Sequence, residues 1–248
     1  MLDRTNTVQT PFHCSLRQTY SVTELPDVSA MRISYDRDKL HEDDLASTPL
    51  EQFNRWLHDA VAVGTDALIE PNAMVLSTIS SSSLISSRSV LLKAIDPRGL
   101  TFYTNYGSRK ADEIEHHPQV SVVFPWYPLH RQVVVQGTVT KVSREESFAY
   151  FQTRPHLSQL GAICSAQSTE IESREVIENR MAELIAEFPE GTEVPMPDFW
   201  GGYLITVDTM EFWQGRRSRL HDRLRFINTG ASQLLDDPQA WRVSRFSP

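Results

Sequence analysis

The order of strand and helix patterns is the feature that most constrains the fold of this chain. Short runs with strand character are joined by tight turns, and helical patterns interrupt them at irregular intervals. A doubly wound parallel sheet needs helices that alternate regularly with strands, so that fold is disfavoured. The order predicts a mainly β protein with helical decoration (α+β), built as an antiparallel barrel. The predicted strands cover residues 73–80, 85–95, 100–105, 120–127, 131–142, 202–207, 210–214, 224–227 and 241–245.

Capping signals mark where the predicted helices begin. Thr48-Pro49-Leu50-Glu51 places an N-cap threonine before a proline and a glutamate three residues later. Gly107-Ser108 opens a second helix that ends before Pro118, and a capping box at residues 143–146 opens a third that ends near residue 153. Residues 173–188 form a further amphipathic helix. Its predicted buried face consists of Val176, Ile177, Met181, Leu184, Ile185 and Phe188.

The chain of 248 residues has no internal repeat and no linker, so residues 31–248 are predicted to form a single domain. Residues 1–30 lack an apolar period, which predicts a disordered extension, with organelle targeting as the alternative because Arg4 and Arg17 occur in an acid-poor segment. No apolar run is long enough to span a membrane. Cys14 and Cys164 form no CxxC motif, which fits a reducing, cytoplasmic compartment.

The net charge and the lack of several known motifs argue against several classes of function. The net charge of −8 disfavours a nucleic-acid-binding protein. The histidines have no partners at metal-ligand spacing, so no metal site is expected. The GxSxG elbow, the Walker A loop and the GxGxxG fingerprint are all missing from the sequence.

Three clusters combine cations with hydroxyl or aromatic side chains. Residues 103–110 end a strand and open a helix with Arg109 and Lys110 in its first turn, where cations are unfavourable unless an anion binds there. Tyr150 and Arg154 lie one helical turn apart and indicate a second anion site, although Arg154 could simply cap the helix. Arg88 and Lys93 flank an apolar run that predicts a strand buried on both faces, and cations there need anionic partners.

The segment from Glu211 to Arg223 mixes aromatic rings, four arginines and one histidine. Such a mixture suits a surface that binds a flat ring together with an anionic group. A basic strand and turn at a subunit contact is the alternative explanation. Together with the two anion sites, the segment suggests a phosphorylated cofactor and a phosphorylated substrate.

The same segment resembles the C-terminal motif of the pyridoxamine/pyridoxine 5′-phosphate oxidases, through Glu211-Phe-Trp-Gln-Gly and Arg219-Leu-His-Asp-Arg223. The resemblance covers about residues 31–248. It implies an FMN-dependent split β-barrel, built as a homodimer with the flavin at the subunit interface. The other blocks that resemble this family, in the same order, are residues 88–93, 102–105, 107–110, 124–126, 131–132, 154–155, 167–168 and 199–202.

The resemblance also implies roles for individual residues, with Arg219 and His221 as the catalytic pair. Arg219 would press the substrate ring onto the flavin, and His221 would orient the substrate or assist proton movement. The expected FMN-binding residues are Arg88, Ser89, Val90, Leu91, Leu92, Lys93, Tyr103, Thr104, Arg109, Lys110, Gln132, Gln167, Ser168, Trp213 and Arg223. The expected substrate-binding residues are Arg32, Tyr35, Lys93, Tyr150, Arg154, Ser158, Arg219, Leu220 and His221.

The implied reaction oxidises pyridoxamine 5′-phosphate or pyridoxine 5′-phosphate with dioxygen, giving pyridoxal 5′-phosphate and hydrogen peroxide. The flavin carries the redox step, and the protein positions the two rings. His156 and Ile163 depart from the residues common in the family and are expected to shift affinity or substrate preference. Two alternatives stay open: a related flavin oxidase of another aromatic ring, as in phenazine-pathway relatives, and a non-catalytic carrier of FMN or pyridoxal phosphate.

Overall fold

The computed structural model describes residues 29, 35, 38–68 and 70–248. Arg32 and nearly all of the predicted N-terminal extension lie outside the described residues. Residues 34–248 form one compact unit. The helices are α1 (Pro49–Ala62), α2 (Arg109–His116), α3 (Arg144–Gln152), α4 (His156–Cys164) and α5 (Arg174–Glu187). The strands are β1 (Ala73–Ile79), β2 (Ile85–Leu91), β3 (Ala94–Asp96), β4 (Gly99–Asn105), β5 (Gln119–Trp126), β6 (Arg131–Lys141), β7 (Trp200–Gln214), β8 (Asp222–Asn228) and β9 (Trp241–Arg245).

These strands build one sheet in which every neighbouring pair is antiparallel, so the predicted mainly β fold with inserted helices is confirmed. The order is β2-β1-β5-β6-β7-β4-β3, with β8 paired to β7 and β9 paired to β8. The first half of β7 pairs with β4 and its second half pairs with β8. One long strand therefore serves two different neighbours.

The prediction of two separate strands at residues 202–207 and 210–214 is wrong, because β7 runs unbroken from Trp200 to Gln214. Its register with β6 shifts between Gln136 and Gly137, which face Thr209 and Val207. Asp208 is thus an extra residue in β7, the signature of a β-bulge. A bulge bends a strand and increases its twist without ending its pairing. The gap between the two predicted strands is therefore a bend in one continuous strand.

Helix α1 forms because its start is capped and one of its faces is apolar. The Thr48 side chain accepts a hydrogen bond from the backbone N–H of Glu51 at 3.2 Å, as the N-cap pattern predicts. The buried face packs on the sheet, where the Phe53 ring lies 5.0 Å from that of Phe124 and the Trp56 ring lies 5.1 Å from that of Phe212. These contacts are part of the main core.

A second core joins α3, α4 and α5 to the start of β7, through Phe151, Leu160, Leu184 and Trp200. The small residues Gly161 and Ala162 predict a loop from the sequence, and that prediction is wrong because residues 156–164 are helical. Gly161 lies where α4 faces α5, and a Cβ there would sit 3.9 Å from the Met181 methyl group. The glycine therefore sits at a helix–helix contact.

Two burial predictions are also wrong. The apolar face of α5 is mostly exposed, since only Leu184 is buried while Val176, Ile177 and Ile185 remain in contact with solvent. Residues 85–95 do not form one strand buried on both faces. They divide into β2 and β3, and β2 is an edge strand of which Ile85 is 73% exposed. Burial depends on which element lies opposite, which local periodicity does not contain.

Candidate active site

A cavity of about 610 Å³ opens beside the ends of β2 and β4 and is closed on another side by α3, α4 and Trp200. It brings together residues that are up to 111 positions apart in the chain, from Ser89 to Trp200. The sequence-predicted residues that line it are Ser89, Val90, Leu91, Lys93, Tyr103, Thr104, Lys110, Tyr150, Arg154, Ser158 and Gln167.

Lys110 is a buried cation on this cavity. Its Nζ donates to Gln167 Oε1 at 2.8 Å and to the hydroxyls of Thr104 and Ser108 at 3.2 Å each. No carboxylate among the described residues pairs with it. Burial and the neighbouring Arg88 lower the pKa of Lys110 to about 8. A buried ammonium held only by neutral oxygens is costly, so the arrangement suits an anionic ligand.

Arg88 and Arg109 lie beside the cavity and do not line it. Both donate to Glu113, from Arg88 Nη2 at 3.0 Å and from Arg109 Nε at 2.8 Å. Glu113 also accepts hydrogen bonds from the hydroxyls of Thr78 and Ser86. Burial raises the pKa of Glu113, but these four donors outweigh that effect and hold the pKa at about 2. The carboxylate is therefore ionised at neutral pH.

Arg154 is the second cation on the cavity wall. Its guanidinium lies 4.8 Å from the centre of the Trp200 ring, and its buried Nη1 has no hydrogen-bond partner among the described residues. Burial lowers the pKa of Arg154. The guanidinium donates to no helix carbonyl in the described part of the chain, so the alternative that it caps α3 is not supported. An orphaned, buried donor on a cavity wall fits an anionic group.

Aromatic rings form a flat wall next to Arg154. The Tyr103 ring stacks on Tyr150 with centroids 4.0 Å apart and lies parallel to Trp200 at 5.5 Å. Burial raises the pKa of Tyr103 to about 12, so its hydroxyl stays protonated at neutral pH. Trp200 was not among the predicted site residues, although the block at residues 199–202 signals it.

The C-terminal segment forms a separate cluster that does not line the cavity. Trp213 faces Gln132 on β6 and Arg223 on β8. The His221 ring lies 4.5 Å from Trp213 and 5.8 Å from Tyr35. This cluster contains the predicted catalytic histidine.

The electrostatics of this cluster keep His221 neutral. The backbone N–H of Arg216 donates to His221 Nδ1 at 3.0 Å, so the neutral ring carries its hydrogen on Nε2. Burial, followed by the charge of Arg219, lowers the pKa of His221. Arg219 follows Ser218 in the left-handed backbone region, with φ of 61° and 58°. Arg223 is fixed by Glu211, its Nε lying 2.9 Å from Oε1.

Three further predicted residues have different surroundings. Leu92 is 5% exposed and packs in the main core, so its side chain does not reach the cavity. Ser168 follows Gln167 with φ of 74° and does not line the cavity. Leu220 is 70% exposed and lines a smaller cavity of about 450 Å³ that also includes Tyr35 and Lys39.

The chemistry of the main cavity fits a phosphorylated ring compound. It offers the buried ammonium of Lys110 and the partly buried guanidinium of Arg154, neither paired with a carboxylate among the described residues. Several hydroxyl donors and a flat aromatic wall complete its lining. Across the described residues, no group of three or more His, Cys, Asp or Glu side chains is arranged to hold a metal ion. No helix in the same part of the chain is long and apolar enough to cross a membrane.

Comparisons with known proteins identify the family. Residues 65–186 match the family described as pyridoxamine 5′-phosphate oxidase. Residues 200–248 match the pyridoxine 5′-phosphate oxidase C-terminal dimerisation region. A Frankia casuarinae protein named pyridoxine/pyridoxamine 5′-phosphate oxidase is 53% identical over 203 residues, covering 82% of this chain and 76% of that protein. A Streptomyces avermitilis protein of the same name is 47% identical over 223 residues, covering 90% and 96%.

Solved structures agree with this result. PhzG from Burkholderia lata, crystallised with tetrahydrophenazine-1-carboxylic acid, matches with a TM-score of 0.75 at 30% identity, covering 85% of this chain and 98% of that one. An FMN-binding protein from Nostoc punctiforme, related to pyridoxamine 5′-phosphate oxidase, has a TM-score of 0.62 at 16% identity, covering 83% and 99%. The fold is thus the predicted split β-barrel. On the strength of both matched regions and of relatives about half identical, the chain belongs to the pyridoxine/pyridoxamine 5′-phosphate oxidase family.

Proposed function

We propose that this protein is an FMN-dependent oxidase that converts pyridoxamine 5′-phosphate or pyridoxine 5′-phosphate, with dioxygen, to pyridoxal 5′-phosphate and hydrogen peroxide. The observation that carries the proposal is a pair of cations on one cavity, the buried Lys110 and the partly buried Arg154, neither of which pairs with a carboxylate among the described residues. Two phosphate groups, one on the cofactor and one on the substrate, would complete both sites.

The cofactor phosphate is assigned to the Lys110 side of the cavity. Lys110 supplies the charge, Thr104 and Ser108 orient its Nζ, and the amide of Gln167 holds it from another loop. The start of α2 adds backbone N–H groups that favour an anion. Bound FMN would supply the redox chemistry, accepting a hydride from the substrate carbon that bears the amine or alcohol and passing electrons to dioxygen.

The substrate phosphate is assigned to Arg154, with Lys93, Tyr150 and Ser158 on the same cavity wall. The guanidinium lies over the Trp200 ring at 4.8 Å, and its planar fork of donors suits bidentate contact with phosphate oxygens. Binding the phosphate firmly would place the pyridine ring without demanding strong contacts at the reacting carbon.

The C-terminal cluster is assigned to the substrate ring. His221 is neutral and presents its Nε2 hydrogen, so it can donate a hydrogen bond to a substrate oxygen or nitrogen. Arg219 adds a positive charge where the ring would gain electron density. In one chain this cluster does not line the cavity, and the matched dimerisation region suggests that a second copy supplies it. We therefore propose a homodimer with FMN at the interface.

Anaerobic reduction of the bound flavin tests the proposal. Purified protein loaded with FMN should lose its visible absorbance when pyridoxine 5′-phosphate is added without oxygen, and pyridoxal 5′-phosphate should appear. Unphosphorylated pyridoxine is the matched control and should act only at much higher concentration. Reduction only by another aromatic compound would favour the chemistry of a PhzG-like relative. Binding without reduction would favour a carrier.

A substitution tests the role of Arg219. Arg219→Ala should slow single-turnover reduction of the flavin, because the charge beside the ring is lost. Arg242→Ala, an exposed arginine on β9, is the matched control and should reduce the flavin normally. Unchanged reduction by Arg219→Ala together with normal substrate binding would reject the assigned role.

A further inference from the structure

We propose that Glu113 is a positioning residue for the FMN phosphate: it fixes Arg88 and Arg109 beside Lys110 and so sets the preference for FMN over riboflavin, the flavin that lacks the phosphate. This inference rests on the proposed function and deepens it. Glu113 does not line the cavity, so it would act through the two arginines.

The geometry around Glu113 is that of a fixed anchor. Its side chain is 1% exposed, and both of its oxygens are occupied. Oε1 accepts from Arg109 Nε, while Oε2 accepts from Arg88 Nη2 and from the hydroxyls of Thr78 and Ser86. The donors come from β1, β2 and α2, so one carboxylate joins two strands to the helix at whose start Lys110 lies.

The two arginines are held in different ways. The Nη atoms of Arg88 are committed within the protein, since Nη1 donates to Leu76 O and Thr78 and Nη2 donates to Ser86 and Glu113. Within the described part of the chain, Arg109 is bound through Nε alone, and its side chain is 60% exposed, so both of its Nη groups can meet an anion. Each arginine is the direct neighbour in sequence of a residue that lines the cavity, Ser89 and Lys110 respectively.

The charge of this group matches a phosphate monoester. Three cations (Arg88, Arg109 and Lys110) and one carboxylate (Glu113) leave a net charge of +2. A phosphate monoester carries a charge of about −1.5 to −2 near pH 7. Without Glu113 the same group would carry +3, and nothing in the described residues would hold Arg109 in one orientation.

Removing Glu113 would have two opposing effects on phosphate binding. The additional net positive charge would attract the phosphate more strongly, but Arg109 is largely exposed and water and salt screen that attraction. Loss of the anchor would release the guanidinium of Arg109 and leave buried hydroxyls and Arg88 without their acceptor. We expect the second effect to dominate.

Binding of two flavins to the flavin-free protein tests the inference. Wild type and Glu113→Gln are each titrated with FMN and with riboflavin, following the quenching of flavin fluorescence. Glu113→Gln should weaken FMN binding by about tenfold, the change produced by about 1.4 kcal/mol, and leave riboflavin binding within about twofold. A merely structural role would weaken both flavins equally. An unchanged or larger ratio of FMN to riboflavin affinity would overturn the inference.

Two further variants make the result decisive. Glu115→Gln, on the same helix and 70% exposed, is the matched control and should bind both flavins as wild type does. Arg109→Met removes an exposed side chain and should reproduce the selective loss of FMN affinity; if it does not, the inference is overturned even where Glu113→Gln fails to fold. If neither flavin binds the wild-type protein, both the inference and the proposed function are overturned. If FMN binds but Glu113→Gln leaves the ratio of FMN to riboflavin affinity unchanged, only the role of Glu113 is overturned.

Discussion

Replacing Lys110 with methionine is expected to stabilise the flavin-free protein and to weaken its binding of FMN. The Lys110 side chain is buried, its residue being 8% exposed, and its Nζ donates only to neutral oxygens among the described residues. Methionine has a similar length and shape without the charge. The substitution therefore separates the cost of burying the ammonium from its use as an anion ligand.

The magnitude follows from the pKa of Lys110, which burial and Arg88 lower from 10.5 to about 8. At about 1.4 kcal/mol per pH unit, this interval corresponds to about 3 kcal/mol against the charged form in the folded protein. In the unfolded chain the Lys110 ammonium keeps its proton up to about pH 10.5, whereas in the folded protein it loses the proton near pH 8. The free energy of unfolding therefore rises between about pH 8 and 10.5, and the destabilisation caused by the buried charge is fully present below pH 8. Methionine also forfeits three hydrogen bonds, so the expected net gain at pH 7 is about 1–2 kcal/mol.

Urea denaturation of the flavin-free protein between pH 7 and 10, at a fixed protomer concentration, measures this effect. Lys110→Met should be more stable than wild type at pH 7 and should lose the rise above pH 8. Lys141→Met is the control, because Lys141 is 48% exposed and pairs with Glu115. FMN should bind Lys110→Met about 10- to 100-fold more weakly, as expected for the loss of a charged donor. Lower stability at pH 7, or an unchanged rise with pH, would refute the reasoning.

Three other substitutions have defined outcomes. Arg154→Ala should raise KM for pyridoxine 5′-phosphate about 10- to 100-fold with a smaller change in kcat, because it removes a phosphate contact remote from the reacting carbon. A fall in kcat alone, measured by steady-state kinetics, would contradict this. Phe53→Ala should lower the free energy of unfolding by about 3–5 kcal/mol, since the ring is fully buried against Phe124 and Trp126; a loss below about 1 kcal/mol in urea would contradict that packing. Thr48→Ala should cost about 1 kcal/mol in the same assay, because the N-cap of α1 is lost, and no change would show that the cap contributes nothing.

Local sequence signals predicted the elements that depend on neighbouring residues alone. Thr48 with Pro49 marks the start of α1, and Ser143 accepts from the backbone N–H of Glu146 at the start of α3. Both helices begin at the residue after the predicted cap. This was predictable because the N-cap hydrogen bond joins two residues only three positions apart in the sequence. The antiparallel, mainly β architecture was predictable for the same reason, since short strands joined by tight turns leave little choice of topology.

Elements that depend on distant partners were not predictable in this way. Helix α4 contains Gly161, which indicates a loop until α5 is seen to pack against it. The exposed face of α5 carries the same apolar pattern as a buried helix, and the apolar run at residues 90–92 does not show that β2 lies at the edge of the sheet. The bend at Asp208 resembles a strand end, and only pairing with β6 shows that β7 continues.

The candidate site also has a part that the sequence predicts and a part that only the structure shows. The sequence by itself determined which side chains are candidates for the chemistry, because cations, hydroxyls and aromatic rings at set positions, together with the family resemblance, single out residues such as Lys110 and Arg154. Only the tertiary structure decided which of them meet, since the cavity joins β2, β4 and three helices while Trp213 and His221 form a separate cluster. It also showed the surroundings of Glu113, whose proposed role depends on burial and on partners from three elements that no local pattern connects.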